Sequence, residues 1–210
     1  MSGFLNCHTM PQYRRTRIAG GSFFFTVVTE RRQRLLTEEP VRLALRHAIQ
    51  VVRRQRPFRI DGLVLLPDHL HAIWTMPSDD DDYATRWRLI KRCVTRQLGA
   101  AFHNPAVMTQ RRRMKGEGSV WQHRYWEHWL RDDDDMRRHL DYLHFNPVKH
   151  GLVERVLDWE WSSFHRYVAA GAYPADWGAR QWRVTPSANP PYESERHATG
   201  VGSQGGLAQA

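Results

Sequence analysis

Apolar and polar positions along this chain change period from strand-like to helix-like and back. Residues 22–29 (SFFFTVVT) are aromatic and β-branched throughout, which predicts a buried strand. Thr37 followed by Pro40 marks a helix start, and Val41, Leu45, Ile49 and Val52 recur near the helical period until Pro57 ends it. Two apolar runs, 58–66 and 69–76, flank Pro67 and Asp68, the pattern of two strands joined by a tight hairpin. A second helix is predicted over 83–102, with Trp87, Ile90, Val94 and Leu98 on one face and Arg88, Arg92 and Arg96 on another. Residues 103–118 read as a loop and 119–130 (SVWQHRYWEHWL) as a strand dense in aromatics. A third helix begins at the acidic run 132–135, continues to Asn146 and is stopped by Pro147 and Gly151. A short amphipathic segment covers 159–168.

The order up to Leu130 is strand, helix, strand, strand, helix, strand. It predicts an α+β fold, the ferredoxin-like split βαβ, whose antiparallel sheet carries helices on one face. The opposite face is open to ligand unless the third helix packs across it. Such a fold serves many unrelated activities, so function has to be read from the site.

The length of 210 residues suits one domain over 1–178, entered by a basic arm, with a Gly-, Pro- and Ser-rich low-complexity tail over 179–210 that composition marks as disordered. Nine Trp, seven Tyr and eight Phe supply enough to bury that a wholly disordered chain is excluded. A mean hydropathy of -0.66 without a long apolar run excludes a transmembrane helix, and residues 1–12 lack the apolar stretch of a secretory signal. Two cysteines build neither a disulfide framework nor a structural zinc site, and a cytoplasmic, nucleoid-associated location is expected.

Net charge is +9, and residues 83–116 hold nine Lys and Arg with no Asp or Glu, which accounts for the whole excess. A solvated helix face beside a basic loop would explain this. Nucleic acid explains it better, because a polyphosphate rewards such a cluster through counterion release. The acidic runs 79–82 and 132–135 are expected as favourable charges at helix N-termini, in preference to metal binding.

Asp68-His69-Leu70-His71 places two imidazoles two residues apart on a predicted strand, so both point to one face. Two convergent nitrogens can hold a divalent cation if a third donor arrives from elsewhere; otherwise they are hydrogen-bonded histidines at a sheet edge. In the third helix Tyr142 and Asn146 are four apart and therefore neighbours on its surface. A phenol with a pKa near ~10 needs a base, a cation or an electropositive pocket to attack a phosphodiester. On pattern alone Tyr142 could equally be a half-buried helix aromatic, and Asn146 before Pro147 a helix terminator.

The strings LPDHLHAIWTMP (66–77), RWRLIKR (86–92), WQHRYWEHWLRD (121–132) and YLHFNPVKHGLV (142–153) together resemble the REP-associated tyrosine transposases, bacterial relatives of the single-tyrosine HUH transposases of small insertion sequences. The resemblance runs from about residue 14 to 178. It implies that His69 and His71 are the family's HUH pair, that Tyr142 on the C-terminal helix is the nucleophile, and that Asn146 completes the metal site where insertion-sequence relatives carry Gln. It further implies cleavage of single-stranded DNA beside the hairpin of a repetitive extragenic palindrome, a 5′-phosphotyrosine intermediate with a free 3′-hydroxyl, Mg²⁺ or Mn²⁺ as cofactor, no small-molecule cofactor, and a monomer or homodimer.

The residues expected to face DNA are Arg14, Arg15 and Arg17 of the arm, Arg88, Lys91, Arg92 and Arg96 of the second helix, Arg124, Tyr125 and Trp126 near the last strand, and Lys149 in the final motif. Asp68 and Glu127 are expected to orient a histidine. Two alternatives stand beside this reading. One is a binding module without chemistry, since residues 21–28 loosely resemble the aromatic strand of an RNA-recognition motif. The other is a metal-dependent nuclease that uses water.

Overall fold

The computed structural model describes residues 15–114 and 118–179. Residues 1–14 of the arm, Arg14 among them, residues 115–117 and the tail from 180 onward lie outside these residues. Four strands, β1 (Ser22–Val28), β2 (Arg59–Leu65), β3 (His69–Thr75) and β4 (Trp126–Leu130), form an antiparallel sheet in the order β2-β3-β1-β4. With helices α1 (Glu39–Gln55) and α2 (Tyr83–Leu98) between them, this is the expected split βαβ arrangement. Alternation along the strands divides the core in two. Phe23, Phe25, Val27, Leu70, Ala72 and Trp74 point to one face and are covered by Val41, Leu45 and Ile49 of α1 and Tyr83, Trp87, Ile90 and Val94 of α2.

The other face is not open. Helix α4 (Asp133–Lys149), which follows the short α3 (Gln110–Met114), packs Tyr142 and Leu143 against Phe24, Val64 and Ile73. Gly62 makes this approach possible, because a Cβ there would lie 3.0 Å from Leu140 Cδ2 and 3.1 Å from Leu143 Cδ1. Gly62→Val is therefore expected to destabilise the protein by about 1–3 kcal/mol through overpacking; an unchanged urea midpoint would show that α4 can shift freely. Helix α5 (Phe164–Ala169) adds a small third cluster of Val156, Phe164 and Trp177 beyond α4.

Helix α1 begins two residues beyond the expected Thr37, with Glu38 as N-cap. The Pro67-Asp68 hairpin forms, closed by Leu66 N donating to His69 O at 2.9 Å. Both acidic runs cap their helices: Asp82 accepts from Thr85 N and Asp132 from Asp135 N. Two expectations fail. The strand over 119–130 survives only as β4, because Val120 and Gln122 bond to the chain around the end of β1 and the backbone then leaves the sheet until Trp126. Pro147 does not stop the third helix, which continues to Lys149. Proline removes one donor near the helix end, where the following bonds from His150 N to Asn146 O and Leu152 N to Pro147 O re-anchor the chain. In consequence Asn146 lies inside the helix, facing the sheet. The second helix also tightens to 3₁₀ geometry over Gly99–Phe102.

Candidate active site

The face of the sheet under α4 carries the histidine pair. His69 and His71 sit on β3 with their rings 4.9 Å apart, edge to face, and both are buried. Each is oriented through Nδ1: His71 pairs with Thr26 Oγ1 at 2.9 Å across the β1 register, and His69 with Asp68 Oδ1 at 2.7 Å. Asp68 is fixed in turn by Arg32 Nη1 at 2.7 Å. Burial pushes the Asp68 carboxyl up, but the hydrogen bonds and charges of His69 and Arg32 outweigh it and hold the group well below the usual carboxylate range. Arg31 and Arg32 both have positive φ, 48° and 53°, a conformation that costs non-glycine residues of order 1–3 kcal/mol. Thr29 Oγ1, donating to Gln33 O and Asp68 O, and the Arg32–Asp68 ion pair hold that turn in place.

With Nδ1 engaged, Nε2 of each histidine is the free donor. Neither His69 Nε2 nor His71 Nε2 has a hydrogen-bond partner among the described residues, and the same is true of Asn146 Oδ1. Asn146 Nδ2 donates to Tyr142 O at 3.0 Å, which leaves its oxygen for the histidine side. The amide lies near enough to His71 to favour the protonated ring slightly. Burial, followed by the charges of His69, His150 and Lys149, dominates and keeps His71 far below the ordinary imidazole pKa, so its lone pair is available. Three buried, unpartnered donor atoms of this kind, two imidazole nitrogens and an amide oxygen, fit a hydrated divalent cation and cost about 1–3 kcal/mol each when left unmet.

Tyr142 faces this group. Its ring meets His71 at 5.4 Å and Phe24 at 5.9 Å, and only 1% of the residue is exposed. Lys149, two turns further along the same face of the helix, lies over it, with Nζ 4.8 Å from the ring centroid and 3.5 Å from the hydroxyl. The phenol is thus buried on its apolar side and bordered by cationic and imidazole groups on the other. His150 stacks edge-on to His69 at 5.2 Å.

The residues expected to meet DNA separate onto the two faces. Trp126 packs against Phe24 on the α4 side, whereas its neighbour Tyr125 turns to the α2 side. There a cavity of about 640 Å³ is lined by Arg15, Arg88, Lys91, Arg92, Arg96 and Tyr125, among others. Arg15 lies over the Tyr125 ring at 4.3 Å and pairs with buried Glu127 at 3.2 Å. Lys91 donates to Gln122 O at 2.8 Å, and burial, with the charges of Arg15 and Arg112, pulls its pKa down to about 8. Arg17 pairs loosely with Asp81 at 3.8 Å, and Arg124 is exposed beside the groove. Arg86, counted in the basic stretch, is 1% exposed and serves the fold by donating to Asp82 O, Arg56 O, Pro57 O and Asp80. Sequence reasoning missed the joint placement of His128, Asp135 and His139 between β4 and α4. Their alternation and four-residue spacing were visible, but not that the strand and the helix meet there.

No protein-family model matches the chain. It is 47% identical over 169 residues to the REP-associated tyrosine transposase of Escherichia coli K12, covering 80% of this chain and 91% of that protein. A counterpart in Haemophilus influenzae of the same description is 41% identical over 169 residues, covering 80% and 94%. A solved structure of a REP-associated tyrosine transposase bound to a REP hairpin superposes with a TM-score of 0.67 at 44% identity, over 84% of this chain and 96% of that one. At this identity and coverage, with a shared α+β fold, the chain belongs to the REP-associated tyrosine transposase family.

Proposed function

We propose that this protein binds the hairpin of a repetitive extragenic palindrome and nicks and rejoins the adjoining single-stranded DNA, with Tyr142 as nucleophile and a divalent cation on His69, His71 and Asn146. The observation that carries this reading is the convergence of the Tyr142 ring on His71, whose buried Nε2, together with His69 Nε2 and Asn146 Oδ1, has no protein partner among the described residues. A hydrated Mg²⁺ or Mn²⁺ held there would withdraw charge from the non-bridging oxygens of the scissile phosphate.

The chain's own groups do the rest. Lys149 borders the phenol, so its ammonium lies beside both the hydroxyl and a phosphate that approaches it. In the cleavage step the Tyr142 Oη–P bond forms as the P–O3′ bond breaks, the phenolic proton leaves, and the departing O3′ takes up a proton. The phosphodiester energy is retained in the new link, so rejoining needs no external source. The approach of Tyr142 to His71 within one copy of the chain supports the reading in which each monomer completes its own site, beside the homodimer alternative. The neighbour solved with a REP hairpin supports the same ligand here, and the basic groove between α2 and Tyr125 supplies the cations and the stacking ring for it.

The test is direct: purified protein, Mn²⁺ and a single-stranded palindrome with its flanks should yield a covalent protein–DNA adduct that survives denaturation. Binding without adduct would favour the non-catalytic module. Removing Arg88, Arg92 and Arg96 together is expected to lower the slope of log K against log salt by about 0.7–0.9 per lost phosphate contact. An unchanged slope in a filter-binding titration would clear that helix face of DNA.

A further inference from the structure

Away from the β3 histidines, three potential metal ligands meet where the edge strand joins the tyrosine helix. His128 projects from β4 towards α4, and Asp135 and His139 stand one turn apart on α4 itself, so their donors share a face. His128 Nε2 is 3.0 Å from Asp135 Oδ2, and His139 Nδ1 is 3.1 Å from Asp135 Oδ1. All three donor atoms lie within 4.8 Å of one another, and the two imidazoles are nearly parallel with centroids 4.7 Å apart.

We propose that His128, Asp135 and His139 form a second cation site, for a borderline transition metal such as Zn²⁺, that fastens the start of α4 to β4. Two imidazole nitrogens and one carboxylate oxygen are a donor set that zinc takes with bonds of about 2.0–2.2 Å. The edge of a tetrahedron built on such bonds is about 3.3 Å, close to the 3.0 Å and 3.1 Å at which the two imidazoles approach Asp135, each at a different carboxylate oxygen, which a turn of the carboxylate would replace by one. The widest separation, no more than 4.8 Å, would close by rotation of His128, whose side chain is 25% exposed. Burial would raise the Asp135 pKa, but the hydrogen bonds of His128 and Arg131 N outweigh it and keep the carboxylate charged, while burial keeps His139 neutral. In the metal-free form the three groups satisfy one another, His139 Nδ1 also bonding to Asp135 O at 2.8 Å, and Arg138 approaches Asp135 Oδ1 at 3.4 Å. A cation displaces these bonds without rebuilding the fold. Its consequence is positional: the His139 ring contacts Phe24 at 5.1 Å, and Phe24 contacts His71 and Tyr142.

The inference does not rest on the DNA-cleaving reading, and calorimetric titration of the full chain with Zn²⁺ separates the two. With both sites competent, the wild type takes up two equivalents, the His69→Ala/His71→Ala variant one, and His128→Gln one. If the β3 pair binds no zinc, the wild type takes one equivalent and His128→Gln none, which still supports the site proposed here. Uptake by His128→Gln equal to the wild type, or none by the His69→Ala/His71→Ala variant, would overturn it. His128→Gln keeps a polar, partly exposed side chain, so its metal-free melting temperature should match the wild type. Asp135→Asn, read by loss of the Co²⁺ visible bands, provides a second and independent variant.

Discussion

Tyr142→Phe is expected to remove the covalent adduct and leave hairpin binding intact. The substitution deletes one oxygen from a ring that is otherwise held by Phe24, His71 and the Lys149 ammonium, so the packing of α4 persists. What disappears is the atom proposed to bond to phosphorus, and removing a nucleophile costs on the order of 10⁶ in turnover where this has been dissected. The groove of Arg88, Arg92, Arg96 and Tyr125 lies across the sheet from the phenol, which is why affinity should not follow activity. The measurement is a denaturing gel of labelled DNA beside an equilibrium binding curve. A variant that still cuts and leaves a free 5′-phosphate would identify water as the attacking group and favour the water-using nuclease over the reading proposed above.

His71→Ala should produce an equally complete loss of adduct, with a different signature. Here Mn²⁺ affinity falls with activity, by more than the about 10–100-fold that losing an outer partner of a ligand typically costs. A chelator should reproduce the effect on the wild type. Because burial holds His71 well below the ordinary imidazole pKa, its nitrogen stays unprotonated as pH falls through that ordinary range. The His71 contribution to metal binding is therefore retained at mildly acidic pH and lost only below it. Adduct formation by His71→Ala at saturating Mn²⁺ would remove this residue from the site.

Much of this was readable in the chain. The period-two alternation around Leu70 put both histidines on one face, and the Pro67-Asp68 turn fixed where β3 begins. The four-residue interval from Tyr142 to Asn146 placed them together. Pro147 misled because proline was weighed as a local breaker, whereas the burial of Tyr142, Leu143, Asn146 and Pro147 against the sheet carries the helix through it. Aromatic density misled in the same way over 119–125, where the only strand-like pairing is an isolated bridge, Trp121 with Thr29, with a bond from Gln122 N to Val28 O at the end of β1. Arg86 counts in the basic stretch and Lys91 is expected on DNA, and neither pattern reveals the backbone carbonyls each serves. The helix α4 buries Asp135, His139, Tyr142 and Asn146 on one stripe, a polar face turned inward, and such a breach of the hydrophobic pattern is where function tends to lie. Its partners, His128 above all, are distant in sequence and become neighbours only through the fold.

Phe24 is a plain hydrocarbon ring, fully enclosed, and it touches His71, Trp126, His139 and Tyr142 at once. It serves as the party wall between two polar rooms, setting how far each can relax without leaning on the other. A mutational screen scored on DNA cleavage would accordingly flag this phenylalanine among the reactive groups, although it donates no proton, binds no ion and meets no nucleotide.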